Sequence, residues 1–416
     1  SSDLCTFLLH DITPISYYRS KSSPVFICSL DAEKCFDRIW HEGLFYKLWD
    51  ILEVADWLFL YKWYKNLHAV VKWKQSVSKP FRVTRGTRQG STLSPKFFNI
   101  FIDGLLRQLD EANCGVRIGR TKINSFAFAD DVTLISSTVS GLQSLINICY
   151  DYANNWEFSF GHSKSKCLIT GDSKLFSSRH STLPSYWTLG DRSLDTVDEL
   201  EILGVTFCSN ARYASHVNKR CAASRRAIFR YANAGMSYPG MDPPTKTYLW
   251  KTVGIPSLTY GMNCISLSKD NISQLESTQG TIIKWCLGLG KRHRCSRLLA
   301  AMNIPTVWNT VLSDTVSLIN RVYRVNSPAR AVFFHLLSNY LVKGESIPGS
   351  LCHRMMVYGI PLNHIFQRRP SFHSRLNESV APDGATDSLR FLLSQPGLNR
   401  RDSVAHQLLL LLNRSF

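Results

Sequence analysis

The run Ser125-Phe-Ala-Phe-Ala-Asp-Asp-Val-Thr-Leu-Ile-Ser136 constrains the fold of this chain most. Apolar residues precede the adjacent acids Asp130 and Asp131, and β-branched residues continue beyond them. That pattern predicts two strands joined by a tight hairpin with both carboxylates at its end. Adjacent aspartates repel each other, so a fold that holds both ordinarily supplies a cation, most naturally Mg2+ with its oxygen ligands. A solvated turn would use the same pair with no ligand. The pair alone leaves both readings open.

A third acid narrows the choice. Pro24-Val-Phe-Ile-Cys-Ser-Leu-Asp31 is an apolar strand ending in a carboxylate, and Ala32 to His41 opens a helix. Two strand-end carboxylate sites far apart in sequence suit a two-metal phosphoryl-transfer centre. One cation there activates the attacking hydroxyl, and a second, roughly 3.5–4 Å away, steadies the leaving oxygen. Asp31 and Asp130 would bridge two Mg2+ ions, with Asp131 completing the cluster. Between the acids lies Thr87-Arg-Gln-Gly-Ser-Thr-Leu-Ser-Pro95. Gly90 permits close backbone approach, and Ser94-Pro95 reads as an N-cap followed by proline at the first helical position. A helix is expected over 96–109, with Phe97, Phe101, Leu105 and Leu109 on one face.

Leu30-Asp-Ala-Glu-Lys-Cys-Phe-Asp37, Arg88-Gln-Gly-Ser-Thr-Leu-Ser-Pro95 and Phe128-Ala-Asp-Asp131 resemble, in order and spacing, the three palm motifs of reverse transcriptases. The nearest kind is that of the non-LTR (LINE-like) retrotransposons. Gly161-His-Ser-Lys-Ser-Lys166 is similar to the lysine motif after the catalytic hairpin, and Leu203-Gly-Val205 to the primer-grip strand. Lys246 to Leu299, with Gly254-Ile-Pro256 and Leu258-Thr-Tyr-Gly261, resembles the helical region downstream. The likeness runs from about residue 24 to about 305. It implies an α+β right-hand palm, an antiparallel sheet with packed helices, followed by a mainly helical thumb and C-terminal region. The implied reaction is RNA-templated addition of dNTPs to a DNA primer or target 3′-hydroxyl.

The resemblance also implies roles. Phe36 stands where the family places an aromatic that clashes with a ribose 2′-hydroxyl; a core ring is the plainer reading. Gln89 would touch the incoming nucleotide while Gly90 clears space. Arg88 would reach a phosphate or simply face solvent. Lys164 or Lys166 would protonate departing pyrophosphate. Strand alternation would aim both the same way, and the family pattern favours Lys164. Phe126 and Phe128 read as packing residues, with Phe128 also near the primer end.

Composition agrees. The chain has 416 residues, 44% of them hydrophobic, a net charge of +18 and a pI near 9.5. Such a basic excess favours a polyanion. No apolar run is long enough to span a membrane. The twelve cysteines match no zinc spacing, so neither zinc nor disulfides are expected and the thiols read as small buried residues. No secretory signal is evident, and a nuclear or cytoplasmic setting is expected. Asp3 to Ile12 resembles the last finger helix, so most of the fingers and an upstream endonuclease are expected to lie outside this chain. The expected divisions are a palm with a finger remnant over 1–170, a primer-grip hairpin and linker over 171–210, a thumb-like region over 211–305, and a helical region of open role over 306–416. A decayed element that binds nucleic acid without polymerising is the competing expectation.

Overall fold

In the computed structural model, the described residues are 13–360 apart from 89, 172–186, 211–212, 291, 326, 345 and 349. Two compact units are present. One comprises 24–116 with 122–200; the other comprises the remaining described residues.

The first unit is built on a six-stranded sheet. Its strands are β1 (Val25–Asp31), β2 (Ser125–Phe128), β3 (Asp131–Ser136), β4 (Lys166–Thr170), β5 (Trp187–Leu189) and β6 (Arg192–Val197), in the order β5-β6-β4-β1-β3-β2. β1 lies between β3 and β4, antiparallel to both. A strand so enclosed must be apolar on both faces, and every residue of Val25–Cys28 is buried. Phe26, Cys28 and Leu30 alternate onto the face shared with Val132 and Leu134. Two helices cover that face. Ser94–Glu111 contributes Phe97, Phe101, Leu105 and Leu109, and Val139–Asn155 contributes Leu142, Leu145, Ile146 and Cys149. Thr138 caps the second helix by accepting the Gly141 amide at 3.1 Å. Cutting Leu30 to alanine would remove a fully buried side chain and cost about 2–5 kcal/mol.

Several local expectations change. The sheet is not wholly antiparallel: β4 and β6 pair in parallel, because the chain leaves β4 and returns through β5 before pairing. Within the span expected as a primer-grip hairpin and linker, two hairpins are present, one turning at Gly190-Asp191 and one at Leu203-Gly204. Leu203-Gly204-Val205 is therefore a turn entering a strand, with φ of 49° and 75° at its two central residues. After the first motif the chain forms two helices, His41–Trp49 and Val54–Lys65. The expected finger helix at Asp3–Ile12 and most of the 171–185 loop lie outside the described residues. Nine of the eleven described cysteines are buried, as small apolar side chains are.

In the second unit the late sequence motifs meet. The Tyr260 hydroxyl donates to the Leu203 carbonyl at 2.7 Å. Gly261, at φ 75°, leaves so little room that a Cβ would stand 2.6 Å from Val205. His216 is wedged beside them. Its Nδ1 accepts from the Thr206 amide at 3.3 Å and its Nε2 donates to the Tyr260 carbonyl at 3.0 Å. Helices follow, chief among them Ala214–Phe229, Lys269–Cys286, Val307–Arg324 and Pro328–Lys343.

Burial pushes His216 down from 6.5 to about 4. The unfolded chain therefore takes up a proton first, so stability is full above pH 6.5 and falls as pH drops toward 4. Chemical denaturation across that range should show this loss in the wild type and a smaller one in His216→Asn. Equal pH slopes would refute the assignment.

Candidate active site

The register of the central strands assembles the site. Asp31, the last residue of β1, is the Cα partner of Asp131, the first of β3. Phe128 pairs with the same Asp131 and closes a two-residue turn at Ala129-Asp130. The expected hairpin is thus observed, and all three acids reach one end of the sheet. Ala129 adopts φ 52°, a left-handed conformation that glycine or asparagine takes more readily. That costs about 1 kcal/mol and marks the tip as locally strained.

The backbone around Asp31 is clamped. The Ala32 amide donates to the Asp130 carbonyl at 3.1 Å, which ties the turn to the strand end. The Gly161 amide donates to the Asp31 carbonyl at 2.7 Å. Ser165 Oγ accepts from the Asp31 amide at 3.4 Å and donates to the Gly161 carbonyl at 2.7 Å. A Cβ on Gly161 would come within 3.0 Å of Glu33 and 3.4 Å of the Asp31 carboxylate. Sequence reading passed over Ser165 altogether, since a lone serine between two lysines carries no signal of its own.

Lys164 is the cation of the cluster. Its Nζ stands 3.2 Å from Asp31 Oδ2 and 3.4 Å from Oδ1. The side chain is 72% exposed against 21% for Asp31, so the pair is a rim contact screened by water. Lys166 is the first residue of β4, whereas Lys164 lies in the turn before it. Strand alternation therefore never applied to the pair, and it is Lys164 that faces the acids. The hydrogen bond and charge of Asp31 raise the Lys164 pKa. Burial raises that of Asp131, aided by the charges of Asp130 and Asp31. Cys35 is pushed up to about 12, first by burial and then by Asp130.

Among the described residues, no three His, Cys, Asp or Glu side chains are gathered tightly enough to hold a metal ion. The donor set nonetheless suits a hard divalent cation. It consists of carboxylate oxygens, and the Asp131 pKa is raised first by burial and then by the charges of Asp130 and Asp31, against which the exposed Lys164 acts.

The remaining residues form the adjoining wall. The Phe36 ring packs on Phe98, with centroids 5.2 Å apart. It is partly buried and packs against the core. The Phe36 carbonyl accepts from the Thr87 amide at 2.6 Å and hydroxyl at 3.3 Å, which straps the glycine-bearing loop to the first motif. Gly86 sits beneath this strap, where a Cβ would meet the Asp37 carbonyl at 2.7 Å. Arg88 is exposed, and Gly90, at φ 82°, has open space where a side chain would be. Gln89 lies outside the described residues. The helix starts at Ser94, two residues before the expected span. Ser94 does not cap it; its hydroxyl donates to the Arg88 carbonyl at 2.7 Å and anchors the loop instead. Phe126 is partly buried, and Phe128 is 38% exposed.

Residues 6–207 match the family described as "Reverse transcriptase (RNA-dependent DNA polymerase)". The retrovirus-related Pol polyprotein from type-1 retrotransposable element R2 of Nasonia vitripennis is 36% identical over 133 residues, 31% of this chain and 13% of that protein. The RNA-directed DNA polymerase from mobile element jockey of Drosophila melanogaster is 22% identical over 269 residues, 61% of this chain and 27% of that protein. The chain thus spans less than a third of either relative. Among solved structures, apo telomerase from Candida tropicalis aligns with a TM-score of 0.39 at 11% identity, over 81% of this chain and 54% of that one. Among the described residues, no helix is long and apolar enough to cross a membrane.

Because Asp131 is more readily protonated folded than unfolded, its ionised form strains the fold. The penalty is absent below about pH 3.8 and grows as pH rises through the raised folded value. Asp131→Asn should therefore melt higher than the wild type at pH 7 and lose that advantage near pH 3.5. A variant less stable at pH 7 would contradict the penalty that burial and the neighbouring carboxylates place on ionised Asp131.

Proposed function

We propose that this chain, whose residues 6–207 match the reverse transcriptase family and resemble non-LTR retrotransposon polymerases, catalyses RNA-templated DNA synthesis. A primer 3′-hydroxyl attacks the α-phosphorus of a dNTP and pyrophosphate departs. The observation that carries this reading is the pairing of Asp31 with Asp131 across β1 and β3, with Lys164 on the same carboxylate.

Asp31, Asp130 and Asp131 hold the divalent cations, two Mg2+ ions. When bound, these supply the charge neutralisation that phosphoryl transfer requires. The protein's own share is positioning. The Ala32, Gly161 and Ser165 clamps keep Asp31 against the hairpin, so the carboxylates need not reorganise during the reaction. Lys164, its pKa raised by Asp31, carries its proton at neutral pH and is the group that protonates the leaving pyrophosphate. Phe36, seated on Phe98, blocks the ribose 2′-hydroxyl. Arg88 meets a phosphate, and Gly90 leaves room for the nucleotide that Gln89 contacts. The helices over 211–305 serve as the thumb that grips the primer–template, with Leu203-Gly204 in the hairpin that steadies the primer.

The test is extension of a DNA primer on an RNA template with Mg2+ and dNTPs. Wild type should extend it, and an Asp130→Ala, Asp131→Ala variant should lose on the order of 10³-fold or more. Phe36→Ala should raise ribonucleotide incorporation about tenfold or more relative to dNTPs. Absence of extension by the wild type on any primed RNA would overturn the proposal.

A further inference from the structure

Between Asp56 and Asp103 the chain carries nine Lys and Arg and neither Asp nor Glu, a local excess equal to half of the net +18. Among the described residues, only Arg85 of these nine has a carboxylate partner, Glu157 at 2.5 Å. The stretch continues the helix Val54–Lys65, whose first turn carries the exposed Asp56, and then forms a projecting hairpin. His68–Ala69 pairs with Phe81–Arg82, and Lys72–Trp73 pairs with Ser76–Val77. Every residue from 71 to 80 is exposed, so the hairpin tip packs on nothing in its own unit. Two-stranded hairpins that bury no face are marginal in water.

This surface is also unusually apolar for one so charged. Trp73 is 74% exposed and Phe59 68%, and Val71, Val77, Val54 and Leu58 are exposed with them. Lys72 and Lys74 flank Trp73, with Lys74 at φ 53° in the turn. Flat rings between unpaired cations fit one ligand chemistry, a strand that offers phosphates and unstacked base faces together. A duplex hides its base faces, and an acidic protein would leave the rings without partners. The cationic stretch is continuous with the candidate active site. Arg85 bridges to Trp40, Thr87 is strapped to Phe36, and Arg88 follows.

We propose that the helix Val54–Lys65 and the hairpin over 68–82 form a docking surface for an unpaired nucleic-acid strand, the RNA template before it is copied. The identification of that strand as template rests on the reverse-transcriptase reading; the surface and its ligand chemistry do not.

The decisive experiment measures binding of the whole chain to a labelled, unpaired RNA oligonucleotide, without primer or dNTPs, at several salt concentrations. Trp73→Ala should weaken binding about tenfold by loss of one stacking platform. Lys72→Gln, Lys74→Gln and Lys79→Gln together should lower the log–log salt slope by about 2. Blunt duplex RNA should be insensitive to Trp73→Ala. Unchanged melting temperatures certify the fold, and the lysine variant touches no packed side chain. Unaltered RNA binding in both variants would overturn the proposal, as would equal losses on duplex. So would variants that instead abolish self-association or binding to anionic vesicles while RNA binding persists. Variants that lose RNA binding in a chain that never extends a primer would defeat the proposed activity alone. A chain that extends primers with binding untouched by the variants would defeat this surface alone.

Discussion

Repulsion among Asp31, Asp130 and Asp131 is the constraint around which the first unit is organised. Left to solvent, three carboxylates would separate. Here the antiparallel register of β1 with β3 makes Asp31 and Asp131 direct partners, and a two-residue turn fixes Asp130 beside them. The opposing force is the buried sheet behind them, where Val25 to Cys28 and Val132 to Ile135 are closed in. A one-residue slip of β3 would turn its apolar residues to the wrong face and part the acids at once. The hydrophobic register and the electrostatic site are therefore a single specification.

The surrounding devices make sense as responses to that charge. Lys164 neutralises part of it from the rim, the Ser165 and Gly161 contacts stop Asp31 from retreating, and Ala129 accepts a left-handed backbone so that the turn stays tight. Each costs stability or contributes little to it. A fold that retains such features is strained for chemistry rather than for packing. The Asp131 pKa is raised first by burial and then by the charges of Asp130 and Asp31.

Most of this was legible in the sequence where a short-range pattern and a chemical need coincide. The alternation on either side of Asp130-Asp131 encodes the hairpin, and the apolar run before Asp31 encodes a central strand. Packing contacts were legible only as resemblance. Leu203-Gly204 and Tyr260-Gly261 lie far apart in sequence and meet through a hydrogen bond and a close approach that no local rule foretells. Ser94 misled for a related reason. Its place before Pro95 suits a cap, yet a tertiary acceptor, the Arg88 carbonyl, takes the hydroxyl instead. The lysine pair misled through an assumed strand that begins two residues later than the first of them. The parallel β4–β6 pairing depends on a return path, which periodicity does not record.

The central claim is that the three carboxylates act together as one acceptor for divalent cations. Thermal melting of the whole chain in increasing Mg2+, with Asp130→Asn alongside, tests it most directly, because a cation bound only by the native state raises the melting temperature with concentration. The wild type should show a rise that disappears in the variant. No rise in the wild type, or an equal rise in both, would contradict it.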